Sequence, residues 1–256
     1  MKIAIFETSE EIGAYAADII ERRLASGRLK VLGVATGSSP LPVYRELAAR
    51  KPDGLSGLSA FALDEYVGLS PSHPESYRAV IDREVTVPLG LDPKRVHVPD
   101  GSAENLEDAC TIYEERIKAF GGIDIQLLGI GSTGHIGFNE PTSSLSSRTR
   151  IKTLTPETRR DNARFFASPD EVPTHCLTQG LGTIMDAREV ILVAQGSSKA
   201  KAIAGLVEGP LSAMCPGSVL QMHQHATILV DEEAAAELQG TEYYKYVTAN
   251  LPAWQR

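Results

Sequence analysis

An apolar run that ends in a glycine-rich turn constrains this chain more than any other stretch. Residues 123–130 read IDIQLLGI, and residues 131–141 read GSTGHIGFNEP. The first part predicts a buried strand, and the glycines of the second predict a turn with a bare backbone. In an open parallel α/β sheet, ligands bind just outside the carboxyl ends of the strands. His135 and Glu140 are therefore candidates for chemistry, although a histidine in such a turn is also compatible with a structural role.

Composition and charge exclude several classes of protein. With 256 residues, 42% of them hydrophobic and 23% charged, the chain can bury about three quarters of its unfolded surface. A net charge of −8 argues against a nucleic-acid partner, because affinity for phosphate backbones comes from clustered Lys and Arg. No apolar run is long enough to span a bilayer, so no membrane partner is expected. The three cysteines form no C-x-x-C pair and are expected to be buried reduced thiols: Cys110, Cys176 and Cys215.

Predicted strands alternate with predicted helices throughout the chain. Lys2–Phe6 is a predicted strand, and Thr8 with Glu11 can form a capping box for the helix that follows. Further strands are predicted at residues 29–35, 59–63, 97–98, 123–130, 189–194 and 226–230. The last helix is expected after Asp231, with a tail from Tyr243. This alternation predicts a single α/β domain over residues 1–256, with a doubly wound, mostly parallel sheet and helices on both faces.

Two loops have the composition of an anion site. Residues 36–40 read TGSSP between a predicted strand and a predicted helix, and residues 196–199 read GSSK in the same setting. A small polar loop that leads into a helix can present backbone N–H groups to a phosphate. The first loop is neither a Walker loop nor G-x-G-x-x-G, so no nucleotide is implied. Ser and Pro also cap helices without binding a ligand, so a structural role stays open.

Other polar residues follow the predicted strands or alternate along an extended segment. Asp64 and Glu65 follow the third predicted strand, where they could also serve only as a solvated helix start. The cations within residues 148–152 alternate with uncharged residues and so share one side, as on many edge strands. His223 and His225 have no further ligand nearby, and we interpret them as structural, with no metal site. Because the carboxyl ends of parallel strands share one edge, the candidate residues can line one pocket.

The segments ATGSSP, LDEYVGL, HPESY, GIGSTGHIGFNEP, SRTRIKTLT, NARFF and GSSKA resemble the glucosamine-6-phosphate deaminase family. They occur in matching order over nearly the whole chain, and the GHI-x-FNEP run is highly specific. The wider group is Rossmann-like and includes 6-phosphogluconolactonases and sugar-phosphate-sensing domains. The resemblance therefore implies a Rossmann-like enzyme of amino-sugar metabolism, and the expected reduced thiols indicate a cytoplasmic protein.

The resemblance also implies a reaction and the residues that perform it. A deaminase, or hydrolase, of this family converts glucosamine 6-phosphate and water to fructose 6-phosphate and ammonia, without a cofactor, during N-acetylglucosamine catabolism. His135 matches the residue that opens the pyranose ring, a task suited to an imidazole. Asp64 matches the base that takes the C2 proton, and Glu140 matches the carboxylate that orients the histidine.

The substrate-binding residues implied by the resemblance lie in the strand-end loops and in two later helical segments. They are Thr36, Gly37, Ser38, Ser39, Tyr77, Gly134, Arg164 and Lys199. Arg164 can bind a phosphate bidentately, whereas Lys199 supplies a point charge.

Thr133 departs from the family pattern, which commonly has Asp, and in some members Asn, two residues before the histidine. A hydroxyl can accept a hydrogen bond from the imidazole but brings no negative charge, so the imidazolium form is less stabilised than beside Asp. We expect Thr133 to tune His135, so that ring opening is slower or Glu140 alone suffices.

The sequence alone does not decide between several assemblies and functions. Ser143, Arg150 and Lys152 fall where hexameric allosteric members of the family bind N-acetylglucosamine 6-phosphate. Non-allosteric members share much of this segment, so the resemblance decides neither allosteric control nor whether the protein is a homo-oligomer. Alternative functions are a deaminase or isomerase of galactosamine 6-phosphate, a 6-phosphogluconolactonase and a non-catalytic sugar-phosphate sensor. The FNEP run and the Asp64 segment favour the deaminase over the lactonase, and no basic DNA-binding segment supports a sensor.

Overall fold

A seven-stranded sheet, in which every neighbouring pair of strands is parallel, dominates the computed structural model, which describes residues 1–252. The strands of the described residues are β1 (Lys2–Phe6), β2 (Val31–Val34), β3 (Ser59–Ala62), β4 (Asp64–Tyr66), β5 (Val96–His97), β6 (Ile125–Leu128), β7 (Arg150–Thr153), β8 (His175–Thr178), β9 (Glu189–Ala194) and β10 (Ala226–Asp231). The large sheet has the order β1-β10-β9-β6-β2-β3-β5. Successive side chains of a strand point to opposite faces, so such a sheet needs cover on both sides.

Helices supply that cover. In the same residues they are α1 (Ser9–Ala25), α2 (Leu41–Arg50), α3 (Tyr77–Ile81), a π-helical turn (Asp82–Thr86), α4 (Val87–Leu89), α5 (Leu106–Ala119), α6 (Pro156–Asn162), α7 (Leu181–Met185), α8 (Ala200–Val207) and α9 (Thr241–Ala249). Ile191 of β9 packs in one core with Ile20 of α1, whereas Leu192 packs in the other core with Leu206 of α8. The prediction of a doubly wound, mostly parallel sheet with helices on both faces is confirmed.

The first helix begins as its sequence predicts. Thr8 Oγ1 accepts the backbone N–H of Glu11 at 3.2 Å, and Glu11 Oε2 accepts the N–H of Thr8 at 3.1 Å. These reciprocal bonds satisfy two N–H groups that the first turn leaves without helical partners. The predicted capping box is therefore present.

A second, three-stranded antiparallel sheet was not predicted from the sequence. Its order is β4-β8-β7, and it places Asp64 opposite Thr178 and Ile151 opposite Leu177. The chain leaves β3 at Ala62 and enters β4 two residues later. Asp64 is therefore held by strand pairing and does not lie on a free loop.

The helix predicted after Asp231 is wrong. Residues 232–240 form turns, because the Asp231 carboxylate accepts the N–H groups of Gly196 and Ala234 and so fixes a tight bend. The segment predicted as a tail from Tyr243 instead belongs to α9. Its start is fixed by Glu208, which accepts the N–H of Gly240 at 2.8 Å.

Two further observations concern the chain as a whole. No helix within residues 1–252 is long and apolar enough to cross a membrane. Residues 253–256 lie outside the described residues, so one domain over residues 1–256 stays a prediction.

Candidate active site

A cavity of about 670 Å³ opens at the carboxyl edge of the large sheet. The neighbouring strands β9, β6, β2 and β3 end there, and the residues that follow them line its wall. Lys199 follows β9, His135 follows β6, Ser38 follows β2 and Asp64 follows β3. Residues far apart in the sequence are thus brought together at the edge where ligands bind in open α/β sheets.

The loop of residues 36–39 forms one wall of the cavity. Gly37 has a φ of 92°, a conformation that favours glycine, and it turns the chain from β2 towards α2. Gln195 Nε2 donates to the carbonyl of Ser39 at 3.2 Å, so the loop after β9 supports this loop. The four predicted residues Thr36, Gly37, Ser38 and Ser39 all line the cavity.

Two cations line the same cavity. Lys199 is half-buried, and burial together with Arg164 lowers the pKa of its ammonium, while Asp161 opposes that effect. Arg164 is exposed and its guanidinium lies 4.7 Å from the centre of the Phe165 ring. Within residues 1–252 neither cation forms an ion pair with a carboxylate. Two neighbouring positive charges beside a polar loop form an arrangement suited to a phosphate dianion.

Asp64 is a deeply buried carboxyl group in the cavity wall. It is only 5% exposed. Burial, and to a smaller extent the charge of Glu65, raises the pKa of Asp64 to about 8, although a hydrogen bond from the N–H of Phe138 partly opposes this rise. Buried carboxyl groups with raised pKa values in a cavity are candidates for general acid–base chemistry.

Glu65 holds the adjacent structure in place. Its carboxylate accepts backbone N–H groups of Tyr66 and Tyr77, both at 2.8 Å, and of Arg78 at 2.9 Å. Two of these donors belong to the first turn of α3, where a negative charge is favoured by the helix dipole. The contact fixes Tyr77, which lines the cavity and stacks on Phe138 with ring centres 5.8 Å apart. Glu65 therefore positions a predicted substrate-binding residue.

His135 lies directly over a glycine. A Cβ atom at Gly131 would come within 2.0 Å of the imidazole Cε1, so only glycine leaves room for the ring. Thr133 Oγ1 is 2.8 Å from His135 Nδ1, and Glu140 Oε2 is 3.3 Å from the same nitrogen. Gly131 was not among the predicted site residues, although the glycine-rich pattern before the histidine was its signal in the sequence.

Glu140 lies behind His135 and does not line the cavity. It is 3% exposed, and burial alone would raise its pKa. The hydrogen bond and the positive charge of His135, followed by hydrogen bonds from Thr158 and Thr155, outweigh burial and lower the pKa to about 2. Glu140 is therefore ionised at neutral pH and presents a negative charge to the imidazole. Thr155 and Thr158 were missed in the sequence, because their contact with Glu140 spans 15 and 18 residues of the chain.

The chain has a clear relationship to known proteins. Residues 6–229 match the model of the family described as glucosamine-6-phosphate isomerases/6-phosphogluconolactonase. The chain belongs to this isomerase/lactonase family. Among curated relatives, the glucosamine-6-phosphate deaminase of Arthrobacter sp. (strain FB24) is 59% identical over 258 residues, which cover 100% of this chain and 99% of the relative. That of Cutibacterium acnes is 54% identical over 249 residues, with 96% and 95% covered.

Two solved structures share this fold at different levels of sequence identity. A monomeric glucosamine-6-phosphate deaminase is 40% identical, with a TM-score of 0.89, and the match covers 93% of this chain and 100% of that one. A 6-phosphogluconolactonase from Trypanosoma cruzi is 21% identical, with a TM-score of 0.76 and coverage of 93% and 97%. The second likeness is one of fold alone.

Besides Glu140, two predicted catalytic or substrate-binding residues of this family member lie outside the cavity wall. Thr133 sits behind His135, and its Oγ1 is also 3.3 Å from Glu140 Oε2. Gly134 is buried with a φ of 80°, and its carbonyl accepts the N–H of Gly217 at 2.8 Å. Gly134, predicted to bind substrate, thus shapes the turn that carries His135 and packs against the chain near residue 217.

The predicted effector residues lie away from the cavity. Ser143 is buried, and its hydroxyl has no hydrogen-bond partner within the described residues. Arg150 donates to Asn139 Oδ1 at 2.9 Å, and burial lowers the pKa of its guanidinium. Lys152 lies two residues further along β7, on the same face as Arg150. None of the three lines the cavity.

The structural interpretation of the two C-terminal histidines agrees with their contacts. His223 is buried, its Nε2 lies 2.8 Å from the carbonyl of Ala187, and its Nδ1 accepts the N–H of His225.

All three cysteines are free thiols, of which Cys215 is only partly buried. The expectation of a buried thiol is therefore wrong for Cys215, because it precedes a 3₁₀ turn and packs against the core only in part.

Proposed function

We propose that this chain is a glucosamine-6-phosphate deaminase, which converts glucosamine 6-phosphate and water to fructose 6-phosphate and ammonia. The observation that carries the proposal is the content of one cavity: a buried carboxyl at Asp64, an imidazole at His135 and the cations Arg164 and Lys199. The 40% identity to a deaminase structure, against 21% to a lactonase, supports this branch of the family.

Ring opening falls to His135. The hydroxyl of Thr133 has one proton. When it donates this proton in a hydrogen bond to Glu140, its oxygen accepts a hydrogen bond from Nδ1–H of His135. Nε2 is then free to take the proton of the C1 hydroxyl and to return it to the ring oxygen, which breaks the C1–O bond. The ionised Glu140 stabilises the imidazolium that forms between the two transfers.

Isomerisation falls to Asp64. Its ionised carboxylate takes the C2 proton of the open-chain aldehyde, which leaves an enolamine, and protonation at C1 converts the enolamine to an imine at C2. Addition of water to this imine and loss of ammonia give the ketose. A bound substrate ammonium favours the ionised form of Asp64, whose pKa is about 8 in the free protein.

Binding of the phosphate holds the sugar between these two groups. The loop of residues 36–39 offers backbone donors, while Arg164 and Lys199 supply the positive charge. Interactions with a non-reacting group of the substrate can be used to orient the reacting carbons.

The test is ammonia release from three substrates. We expect release from glucosamine 6-phosphate to exceed that from galactosamine 6-phosphate, with no hydrolysis of 6-phosphogluconolactone. Faster release from the galactosamine epimer would assign the enzyme to that sugar, and hydrolysis of the lactone alone would make it a lactonase. Binding of the sugar phosphates without turnover of any of them would indicate a sensor.

Location, assembly and regulation belong to the same proposal. Three free thiols support a reducing, cytoplasmic setting. Ser143, Arg150 and Lys152 would form an effector site for N-acetylglucosamine 6-phosphate between subunits of a homo-oligomer. Saturation curves measured with and without that compound test this site. Hyperbolic curves that the compound leaves unchanged would remove this part of the proposal.

A further inference from the structure

Two threonines outside the His135 loop hydrogen bond the carboxylate that supports His135. Thr158 Oγ1 donates to Glu140 Oε1, and Thr155 Oγ1 lies 3.2 Å from the same oxygen. The other carboxylate oxygen, Oε2, faces Thr133 and His135. Thr158 is 4% exposed and Glu140 is 3% exposed, so bulk water does not replace these hydroxyls while the site is intact. Glu140 thus divides its two oxygens between the histidine loop and the segment of residues 155–165.

The same segment reaches the phosphate end of the cavity. Thr155 caps α6, since its Oγ1 accepts the N–H of Thr158 at 3.1 Å. At the other end of α6, Asn162 Nδ2 donates to Tyr66 Oη at 3.0 Å, and Arg164 follows in a 3₁₀ turn. Many side chains between Pro156 and Phe165 are exposed, so a few polar contacts hold the segment against the site.

The two threonines contribute unequally. Thr155 has one hydroxyl proton, which can go to Glu140 or to Thr158 Oγ1 at 3.1 Å. The proton of Thr158 goes to Glu140 in either arrangement. Thr158 is therefore the constant donor, and Thr155 supports it either directly or through Thr158.

We propose that Thr158, assisted by Thr155, is a positioning residue that couples the docking of residues 155–165, and with them Arg164, to the support that Glu140 gives His135. The inference rests on the proposed function. With the segment docked, Oε1 is satisfied and Oε2 is held towards Nδ1 of His135. With the segment displaced, Oε1 loses its donors and Arg164 leaves the phosphate end. Binding of the phosphate and preparation of the imidazole are thereby linked.

The groups that face Glu140 make a pH readout interpretable. They are His135 on its own loop and Cys176 on β8, whose thiol stays neutral because burial raises its pKa. From α6, the carboxylate of Glu157 is engaged by Ser132 Oγ at 3.1 Å. Loss of a donor to Oε1 makes Glu140 hold a proton more tightly.

The first experiment compares Thr158→Val with Thr158→Ser and uses Thr153→Val, on the exposed end of β7, as a control. We expect Thr158→Val to lower kcat about tenfold or more, since a hydrogen bond to a charged group is lost. The Glu140 carboxyl, followed by NMR, should titrate at higher pH than in the wild type, and the serine variant should keep most of the activity. Wild-type kcat with an unshifted Glu140 titration in Thr158→Val, or equal damage in Thr158→Ser, would overturn the proposal.

A second experiment needs no turnover. Amide hydrogen exchange over residues 155–165 should be faster in Thr158→Val than in the wild type, and inorganic phosphate should slow it more in the wild type. Equal exchange in both proteins would refute the docking role. If the wild type released no ammonia from glucosamine 6-phosphate, the proposed function would fail, but this exchange comparison would still decide the coupling.

Discussion

Gly131 shows how one missing side chain makes room for the catalytic group. The imidazole of His135 occupies the space where a Cβ would lie, so any larger residue displaces the ring. We predict that Gly131→Ala lowers kcat about a hundredfold, because a shift of about 1 Å in a reacting group has that order of effect. KM should change little, since the phosphate residues are untouched. Gly57→Ala, at a position with no atom within 4 Å, is the matched control.

Thr133 supplies an uncharged partner to the imidazole of His135. Its hydroxyl bridges His135 Nδ1 and Glu140 Oε2. We predict that Thr133→Asp moves the rising limb of kcat to higher pH, because a second carboxylate favours the imidazolium and only the neutral imidazole can take the C1 hydroxyl proton. Thr133→Val should lower kcat about tenfold through loss of the bridge. An unchanged rate and pH profile in Thr133→Asp would show that this position does not tune His135.

Glu65 connects a strand to a helix through three backbone N–H groups. We predict that Glu65→Gln destabilises the protein by about 1–3 kcal/mol, because an amide cannot accept all three. The charge of Glu65 contributes to the raised pKa of Asp64, so Glu65→Gln should lower that pKa. The rising limb of kcat/KM should then move to lower pH. Glu107→Gln, at an exposed position, serves as the control for thermal unfolding and for the pH profile.

The elements of the large sheet were predictable from the sequence, whereas the small sheet was not. Strands such as β9, which reads EVILVA, consist mostly of apolar residues, and such runs followed by small polar loops indicate parallel strands. The strands β4, β7 and β8 read DEY, RIKT and HCLT, which are too short and too mixed to carry a period. Their strand character depends on pairing with one another, which is a tertiary property.

The candidate site was predictable only in part, for a related reason. Residues that follow strands, such as His135 and Lys199, were predictable because parallel strands end at one edge. Thr155 and Thr158 carry no local signal, because only the folded chain brings them to Glu140. The turn after Asp231 was misjudged because residues 232–238 read EEAAAEL, a helix-favouring composition that the contacts of Asp231 override.

At the scale of the whole molecule, the raised pKa of Asp64 makes the fold less stable as pH rises. The group has an ordinary pKa of 3.8 when unfolded and about 8 when folded, so folding takes up a proton between these values. The stability it contributes is complete below the first value and is lost progressively as pH rises to the second. We predict that Asp64→Asn raises Tm by several degrees at pH 8 and by little at pH 4. Asp53→Asn, at an exposed position, should leave Tm unchanged.

The central claim is that one cavity joins a phosphate site to the base Asp64 and the imidazole His135. The most direct measurement is the formation of ammonia and fructose 6-phosphate from glucosamine 6-phosphate by the wild type and by Asp64→Asn. We predict equimolar products from the wild type and a rate about a thousandfold lower in the variant, with phosphate binding retained. No ammonia from the folded wild type, or a wild-type rate in Asp64→Asn, would contradict the account.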